Sequence, residues 1–176
     1  MAIRLDRVAI PELVATIDAA VRARGRSVAI AESCTGGAVA AAITDRPGVS
    51  SWFRGSAVTY ATAAKYLLLG VDPLLIDRHG PASEPVARAM AVAARLRYEA
   101  DLAVSITGVA GPDPDERGVA PGSVWIGWAT ATANGVLIVS LRGDRGDVRR
   151  GAVAMALSVL IEIATPGDPL PRLAAW

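Results

Sequence analysis

The segment AESCTGG at residues 31–37 places three potential nucleophiles directly before two glycines. The nucleophiles are Ser33, Cys34 and Thr35. The flanking pattern predicts a strand that ends at Glu32 and a helix that begins near Gly36. The N–H groups of residues 34–37 would then lack intrahelical partners and lie at the positive end of the helix dipole. Such a turn can bind a phosphate or stabilise an oxyanion, but it can also be a plain helix cap, because Ser and Thr favour the N-cap.

Ser33 is the better candidate nucleophile of the three. Cys34 would gain thiolate character at a helix N-terminus, but cysteine catalysis usually needs a histidine base, and the only histidine, His79, lies in an unrelated loop. Adjacent residues that leave a strand point to opposite sides, so Ser33 and Cys34 would not share one task. We interpret Cys34 as a small buried residue, as free cysteines usually are.

A serine nucleophile needs a base, and the single lysine of the chain can provide one. Lys65 can accept a proton if burial keeps part of its population neutral. It lies one turn into the helix predicted after the second strand, and Tyr60 ends that strand. Both residues would therefore lie at the same sheet edge as Ser33. The alternative is a solvated lysine beside a tyrosine that closes the end of the sheet.

Hydrophobic periodicity predicts the elements that position these side chains. Helices are predicted over residues 11–25, 36–43, 61–69, 83–100 and 147–164, with Ser83 as the N-cap of the fourth, and a second short turn is predicted over 72–79. Strands are predicted over residues 27–32, 55–60 and 101–108. A hairpin over 123–142 should turn at Asn134-Gly135, the strongest short hairpin signal in the chain. The Gly-, Pro- and Asp-rich segment 109–122 is a predicted loop.

This order predicts a three-layer α/β/α sandwich with a mixed five-stranded sheet. Strands joined through helices should be parallel, and the 123–142 hairpin adds one antiparallel strand. Ligands in such sheets bind beyond the carboxyl ends of the strands. Thr107 and Gly108 end the third strand at this edge, where a hydroxyl and a bare backbone could face a ligand. Arg145 could bind a phosphate there, or it could neutralise a neighbouring aspartate.

Composition limits the class of protein. The 176 residues are 52% hydrophobic, which predicts one domain over 1–165 and a loosely ordered tail over 166–176. The net charge of +1 gives no field for nucleic acid or an anionic membrane, and no apolar run is long enough for a membrane span. One cysteine excludes an internal disulfide and suits a reducing, cytoplasmic location. The mean hydropathy of +0.38 favours a homo-oligomer.

Five segments carry a resemblance to a known family: AESCTGG, VTYATAAKYLLLGV, HGPASEP, SITGVAGP and SLRGDR, in this order. Over roughly residues 10–165 the chain resembles the CinA C-terminal domain family, whose characterised enzymes are nicotinamide-nucleotide amidohydrolases. The resemblance implies the same α/β/α sandwich. It also implies that nicotinamide mononucleotide, a small nucleotide substrate, is hydrolysed to nicotinate mononucleotide and ammonia, without a metal or other cofactor.

The resemblance also implies a role for individual residues. Ser33 would attack the carboxamide carbon, Lys65 would take its proton, and Tyr60 would orient or relay that proton. N–H groups of the turn after Ser33 would stabilise the oxyanion, and water would release the acyl-enzyme. The substrate would be bound by Glu32, Cys34, Thr35, Gly36, Gly37, Thr107, Gly108 and Arg145.

Two other functions stay open from the sequence. A non-catalytic module could bind a nucleotide or a partner on the same scaffold, because function depends on the site and not on the fold. A serine amidase could act on another small amide. The presence of Ser33, Lys65 and Tyr60 together favours an enzyme over a binding module.

Overall fold

A single mixed sheet of five strands organises the computed structural model, which describes residues 9–165. The strands are β1 (Val28–Glu32), β2 (Phe53–Val58), β3 (Leu102–Gly108), β4 (Ser123–Ala129) and β5 (Asn134–Ser140). Their order across the sheet is β2-β1-β3-β4-β5. β2, β1 and β3 are parallel, and β4 runs antiparallel to both of its neighbours. The predicted mixed sheet with one antiparallel strand is confirmed, whereas the predicted tail over 166–176 lies outside the described residues.

Helices cover both faces of the sheet. They are α1 (Ile10–Arg22), α2 (Ala38–Thr44), α3 (Thr62–Leu69), α4 (Pro73–His79), α5 (Glu84–Arg97) and α6 (Arg145–Ala164), with a 3-10 turn at Val49–Ser51. One apolar cluster joins α1, α2 and α6 to the sheet, and a second joins α4 and α5 to it. The three-layer α/β/α sandwich is therefore as predicted. None of the helices in residues 9–165 is long and apolar enough to cross a membrane.

Small aliphatic side chains fill the two layers and hold the sheet edge that carries the candidate residues. Ile17, Ile43 and Leu157 are buried in the larger cluster, and Met90 is buried in the smaller one. Each such side chain contributes about 1.5–3 kcal/mol relative to an exposed position. The strand ends are therefore fixed by packing on both faces, which is the condition for a preorganised site.

The hairpin is closed by different residues from those predicted. The turn spans residues 130–133, where the N–H of Thr130 donates to the carbonyl of Ala133 at 2.8 Å. The hydroxyl of Thr130 also accepts the N–H of Ala133 at 3.0 Å. Asn134 and Gly135 open β5 instead. Gly135 pairs with Trp128, and an added Cβ would lie 2.7 Å from the Trp128 ring. The glycine at this position is therefore required by the indole and not by a tight turn.

Two predicted boundaries near the site shift, and one predicted cap bond does not form. β2 ends at Val58, so Tyr60 lies in the loop beyond the strand. α6 begins at Arg145 and is capped by a reciprocal pair of hydrogen bonds between Asp144 and Asp147. Ser83 occupies the N-cap position of α5, but its hydroxyl donates to the carbonyl of Gly80 at 2.8 Å and makes no cap bond.

Candidate active site

The end of β1 and the start of α3 bring a serine and a lysine into direct contact. The Nζ of Lys65 lies 3.1 Å from the Oγ of Ser33 and 2.9 Å from the carbonyl oxygen of Thr59. The N–H of Thr59 donates to the carbonyl of Glu32 at 2.6 Å, and this bond joins the ends of β1 and β2. The two reactive side chains, 32 residues apart in the chain, therefore meet because their strands are neighbours.

Burial changes the acidity of this lysine. Lys65 is 1% exposed, and no carboxylate within the described residues pairs with it. Burial disfavours the ammonium form and lowers the pKa of Lys65 from 10.5 to about 8. At neutral pH about a tenth of the molecules would carry a free amine at this position. A lysine with this pKa can accept a proton from a hydroxyl that contacts it.

Glu32 holds the turn that carries Ser33. Its Oε2 accepts the N–H groups of Gly37 and Val39, each at 3.0 Å, and its Oε1 accepts that of Ala40 at 2.9 Å. The hydroxyl of Ser56 donates to the same Oε1 at 3.1 Å. The fully buried carboxylate is thus directed at the first turn of α2 and away from Lys65. Glu32 therefore orients the turn, and its contact with the substrate stays a prediction.

These contacts leave fewer N–H groups available to an anion than the four predicted from the sequence, those of residues 34–37. Gly37 donates to Glu32, and Gly36 donates to the carbonyl of Ser33 at 3.0 Å. Both glycines have positive φ, 63° and 95°, which other residues rarely adopt. Within residues 9–165, no oxygen accepts the N–H of Cys34 or Thr35. An anion at this turn would therefore meet the N–H of Cys34, which lines the cleft, rather than the start of the seven-residue α2; Thr35 behind it is fully buried.

Arg149 contacts the same turn from α6, although the sequence analysis did not single it out. Its Nε lies 3.2 Å from the carbonyl oxygen of Cys34, and its Nη2 lies 2.8 Å from that of Thr35. Thr35 is fully buried, and its hydroxyl has no hydrogen-bond partner among the described residues. Only the pattern of a second arginine one turn after Arg145 could have drawn attention to it.

Tyr60 and Arg145 form a bridge across the mouth of the site. The Nη2 of Arg145 donates to the Tyr60 hydroxyl at 2.7 Å, and its Nη1 donates to the carbonyl of Gly111 at 2.9 Å. Tyr60 is 58% exposed. The structure therefore brings Tyr60 to Arg145, and its hydroxyl bonds to neither Ser33 nor Lys65.

A polar cleft of about 380 Å³ lies over Ser33 and Lys65. Its volume falls within the range of sites for small ligands. The loop over 109–122 forms one wall and contributes Asp113 and Asp115. The Oδ1 of Asp115 accepts the N–H groups of Arg117 and Val119 in its own loop. Asp113 lines the cleft. The candidate residues that line the cleft are Ser33, Cys34, Tyr60, Lys65, Thr107, Gly108 and Arg145.

The predicted binding residues on β3 have structural partners as well. The Thr107 hydroxyl donates to the carbonyl of Pro81 at 2.8 Å and so joins β3 to the loop before α5. At Gly108 an added Cβ would lie 2.5 Å from the carbonyl oxygen of Ser123. The close approach of β4 therefore requires the glycine, whether or not a ligand is bound.

Cys34 is unsuited to nucleophilic chemistry. Burial raises the pKa of its thiol to about 11, although its own backbone N–H and the charges of Lys65, Arg149 and Arg145 act in the opposite direction. The thiol is therefore neutral at pH 7 and adds no charge beside Lys65. Among the described residues, no group of three His, Cys, Asp or Glu side chains could hold a metal ion.

A larger groove of about 880 Å³ runs between α4 and α5. It is lined mainly by apolar side chains, among them Leu75, Val92 and Leu96, and it contains no serine, cysteine or lysine. The smaller, polar cleft, which contains Ser33 and Lys65, is therefore the better candidate for an active site.

Comparison with known proteins gives consistent matches. The CinA C-terminal domain profile matches residues 11–164. The chain is 46% identical over 142 residues to the nicotinamide-nucleotide amidohydrolase PncC of Escherichia coli strain K12, covering 80% of this chain and 86% of that protein. It is 47% identical over 146 residues to a CinA-like protein of Mycolicibacterium paratuberculosis, covering 80% of this chain but 34% of that protein. The chain thus spans about a third of the length of such CinA-like relatives.

Solved structures share the fold. The competence damage-inducible protein A of Klebsiella pneumoniae superposes with a TM-score of 0.85 at 32% identity, covering 88% of this chain and 96% of that one. A competence/damage inducible protein of Agrobacterium tumefaciens superposes with a TM-score of 0.80 at 35% identity, covering 86% and 93% of the two chains.

Proposed function

Because this chain belongs to the CinA C-terminal domain family, we propose that it is an amidohydrolase that converts nicotinamide mononucleotide to nicotinate mononucleotide and ammonia. The proposal rests on one observation above all: a buried lysine with a lowered pKa in hydrogen-bond contact with a serine at the base of a polar cleft. The relative PncC, 46% identical, carries this activity in its name.

In the proposed reaction, the Oγ of Ser33 attacks the carboxamide carbon while neutral Lys65 takes the hydroxyl proton. The carbonyl oxygen becomes an oxyanion, which the N–H of Cys34 would stabilise. The ammonium of Lys65 then gives its proton to the departing nitrogen, and ammonia leaves an acyl-enzyme ester. Water attacks this ester, Lys65 takes the proton of the water and returns it to Ser33, and the carboxylic acid product is released.

The polar mouth of the cleft suits the nucleotide part of the substrate. Within residues 9–165, the acceptors of the Arg145 guanidinium are both neutral, a phenol and a carbonyl. A phosphate is a stronger acceptor for a guanidinium than either, so we propose that the substrate phosphate binds Arg145. Tyr60 would then be released from Arg145, and its hydroxyl could take the role expected for it beside the reacting groups. A reducing cytoplasm would keep Cys34 free, as it is in the structure.

Ammonia release from nicotinamide mononucleotide tests the proposal. Wild type, Ser33→Ala and Lys65→Ala should be compared with Ser51→Ala, a matched control in an exposed serine. Both active-site variants should lose activity by several orders of magnitude, and the control should keep it. Undiminished turnover in Ser33→Ala would refute the serine mechanism. Binding of the nucleotide to wild type without turnover would support the non-catalytic module, and turnover of another small amide alone would support a different amidase.

A further inference from the structure

Arg149 lies one turn beyond Arg145 in α6 and reaches back to the turn after Ser33. Its guanidinium donates to two consecutive carbonyls, those of Cys34 and Thr35. No carboxylate in the described part of the chain forms an ion pair with it. Two of the three guanidinium nitrogens of this partly buried arginine are thus committed to the backbone of one turn.

The first of these bonds fixes the direction of an amide. The carbonyl of Cys34 and the N–H of Thr35 belong to the same peptide group, which is trans. In a trans peptide the two point in opposite directions. Because the carbonyl of Cys34 is held on Arg149, the N–H of Thr35 leaves the opposite edge of the same peptide group and points away from the guanidinium. This is one of the two turn amides without an oxygen partner in residues 9–165.

The second bond acts on the other amide through one intermediate. The carbonyl of Thr35 shares its peptide group with the N–H of Gly36, which donates to the carbonyl of Ser33. The carbonyl of Ser33 in turn shares a peptide group with the N–H of Cys34. The two contacts of Arg149 therefore fix the peptide groups on both sides of Cys34: the one after it directly, and the one before it, which carries the Cys34 N–H, through Gly36.

The same chain also transmits charge. A cation on a carbonyl oxygen polarises its peptide group and makes the attached N–H a stronger donor, and successive hydrogen bonds reinforce one another. An oxyanion next to Ser33 would meet the amide of Cys34, which lines the cleft and is polarised in this way. Preorganised donors of this kind are usually the largest single contribution to acyl-transfer catalysis.

We propose that Arg149 is a positioning residue for the oxyanion: it orients and polarises the N–H of Cys34 without touching the substrate. This inference rests on the proposed function, because it concerns the transition state of that hydrolysis. The two arginines in the first turns of α6 would then have different roles. Arg145 would bind the phosphate of the substrate, and Arg149 would act only on the oxygen that becomes the oxyanion.

Kinetics of four proteins test the proposal: wild type, Arg149→Met, Arg149→Lys and Arg150→Met. Methionine keeps the length of the side chain but donates no hydrogen bond. Lysine keeps the charge but reaches one carbonyl. Arg150 is the matched control, because it is exposed on the same helix and, among the described residues, bonds only to Asp147. With nicotinamide mononucleotide, kcat of Arg149→Met should fall about 10²-fold or more, with KM within about threefold of wild type.

Arg149→Lys should be intermediate, and Arg150→Met should match wild type. A folded Arg149→Met with kcat within about threefold of wild type would overturn the proposal. So would a raised KM with unchanged kcat, because Arg149 would then bind substrate. If Arg149→Met does not fold, Arg149→Lys decides alone: an intermediate kcat at wild-type KM supports the proposal, and an unchanged kcat overturns it.

A substrate-independent readout separates this inference from the proposed function. Diisopropyl fluorophosphate forms an Oγ–phosphorus bond with Ser33, fluoride leaves, and the serine proton passes to Lys65. The phosphoryl oxygen needs the same N–H of Cys34. If wild type does not hydrolyse the nucleotide, at least tenfold slower labelling of Arg149→Met would still support the role of Arg149. Equal labelling rates would overturn it, and an unlabelled wild type would overturn both the role and the serine mechanism.

Discussion

Raising the pH should accelerate the proposed hydrolysis until Lys65 is neutral. Burial lowers the pKa of Lys65 from 10.5 to about 8. The neutral fraction would therefore be about one in ten at pH 7, against about one in 3,000 for an unshifted lysine. If the neutral amine is the base, kcat/KM should rise about 50-fold between pH 6 and pH 8 and level off above pH 8.

The assay is initial-rate ammonia release at subsaturating nicotinamide mononucleotide, with added viscogen to show that diffusion does not limit the rate. Lys65→Arg serves as the control, because a guanidinium keeps its proton throughout this range and should be inactive at every pH. A flat, viscosity-independent profile from pH 6 to pH 9 would refute the assignment of Lys65 as base. So would appreciable activity of Lys65→Arg.

The same pKa predicts an effect on stability. The folded-state pKa lies below the unfolded value, so the unfolded chain binds more protons between about pH 8 and 10.5, and stability rises with pH in that window. Between pH 7 and pH 9 the gain from this group is about 1 kcal/mol. Urea unfolding of wild type and Lys65→Met at both pH values isolates it, because Met does not titrate. Parallel pH dependence of the two proteins would show that the lysine is not destabilised by burial.

Three further outcomes are expected elsewhere in the molecule. Arg145→Ala should raise KM for the nucleotide about 10- to 100-fold, with Arg142→Ala as an exposed control, and an unchanged KM would place the phosphate elsewhere. Burial alone would raise the pKa of Asp18, but hydrogen bonds from Arg22, Trp52 and Arg46 lower it. Stability from Asp18 is thus lost as pH falls through its folded pKa, so Asp18→Asn should cost about 1–3 kcal/mol in urea at pH 7 and less at pH 3. Because α3 and α4 expose Leu67 by 67% and Leu74 by 74%, sedimentation should detect self-association at micromolar concentration; a monomer would contradict this.

The fold was predictable because its signals are local and repeated. Strand and helix periodicities gave the mixed sheet, and strand adjacency then brought Ser33 and Lys65 to one edge. Composition pointed to Lys65 as a candidate functional residue, because it is the only lysine in a chain whose other cationic residues are arginines. The turn predicted at Asn134-Gly135 was wrong, because the glycine that favours a tight turn is also the residue that fits against the Trp128 ring. Sequence patterns do not distinguish those two causes.

The side-chain directions could not be predicted. Whether Glu32 faces the cleft or α2 depends on the two positive-φ glycines, which turn the backbone so that three N–H groups meet its carboxylate. The contacts of Arg149 depend on the helix packing that sets α6 beside this turn. Neither is encoded within a short window of sequence.

The two charged side chains at the ends of β1 and α3 are handled in opposite ways, and the contrast bears on function. Glu32 is fully buried and receives three backbone N–H groups and one hydroxyl. Lys65 is equally buried, and within residues 9–165 it contacts a hydroxyl and a carbonyl. If the carboxylate faced the ammonium instead, the ion pair would raise the pKa of Lys65 and remove the neutral amine. The turn of Gly36 and Gly37 thus keeps the acid occupied, and no described carboxylate pairs with the lysine beside Ser33. Burying an ammonium without a counter-charge costs stability, and the proposed hydrolysis gives that cost a function, because its base must be a neutral amine.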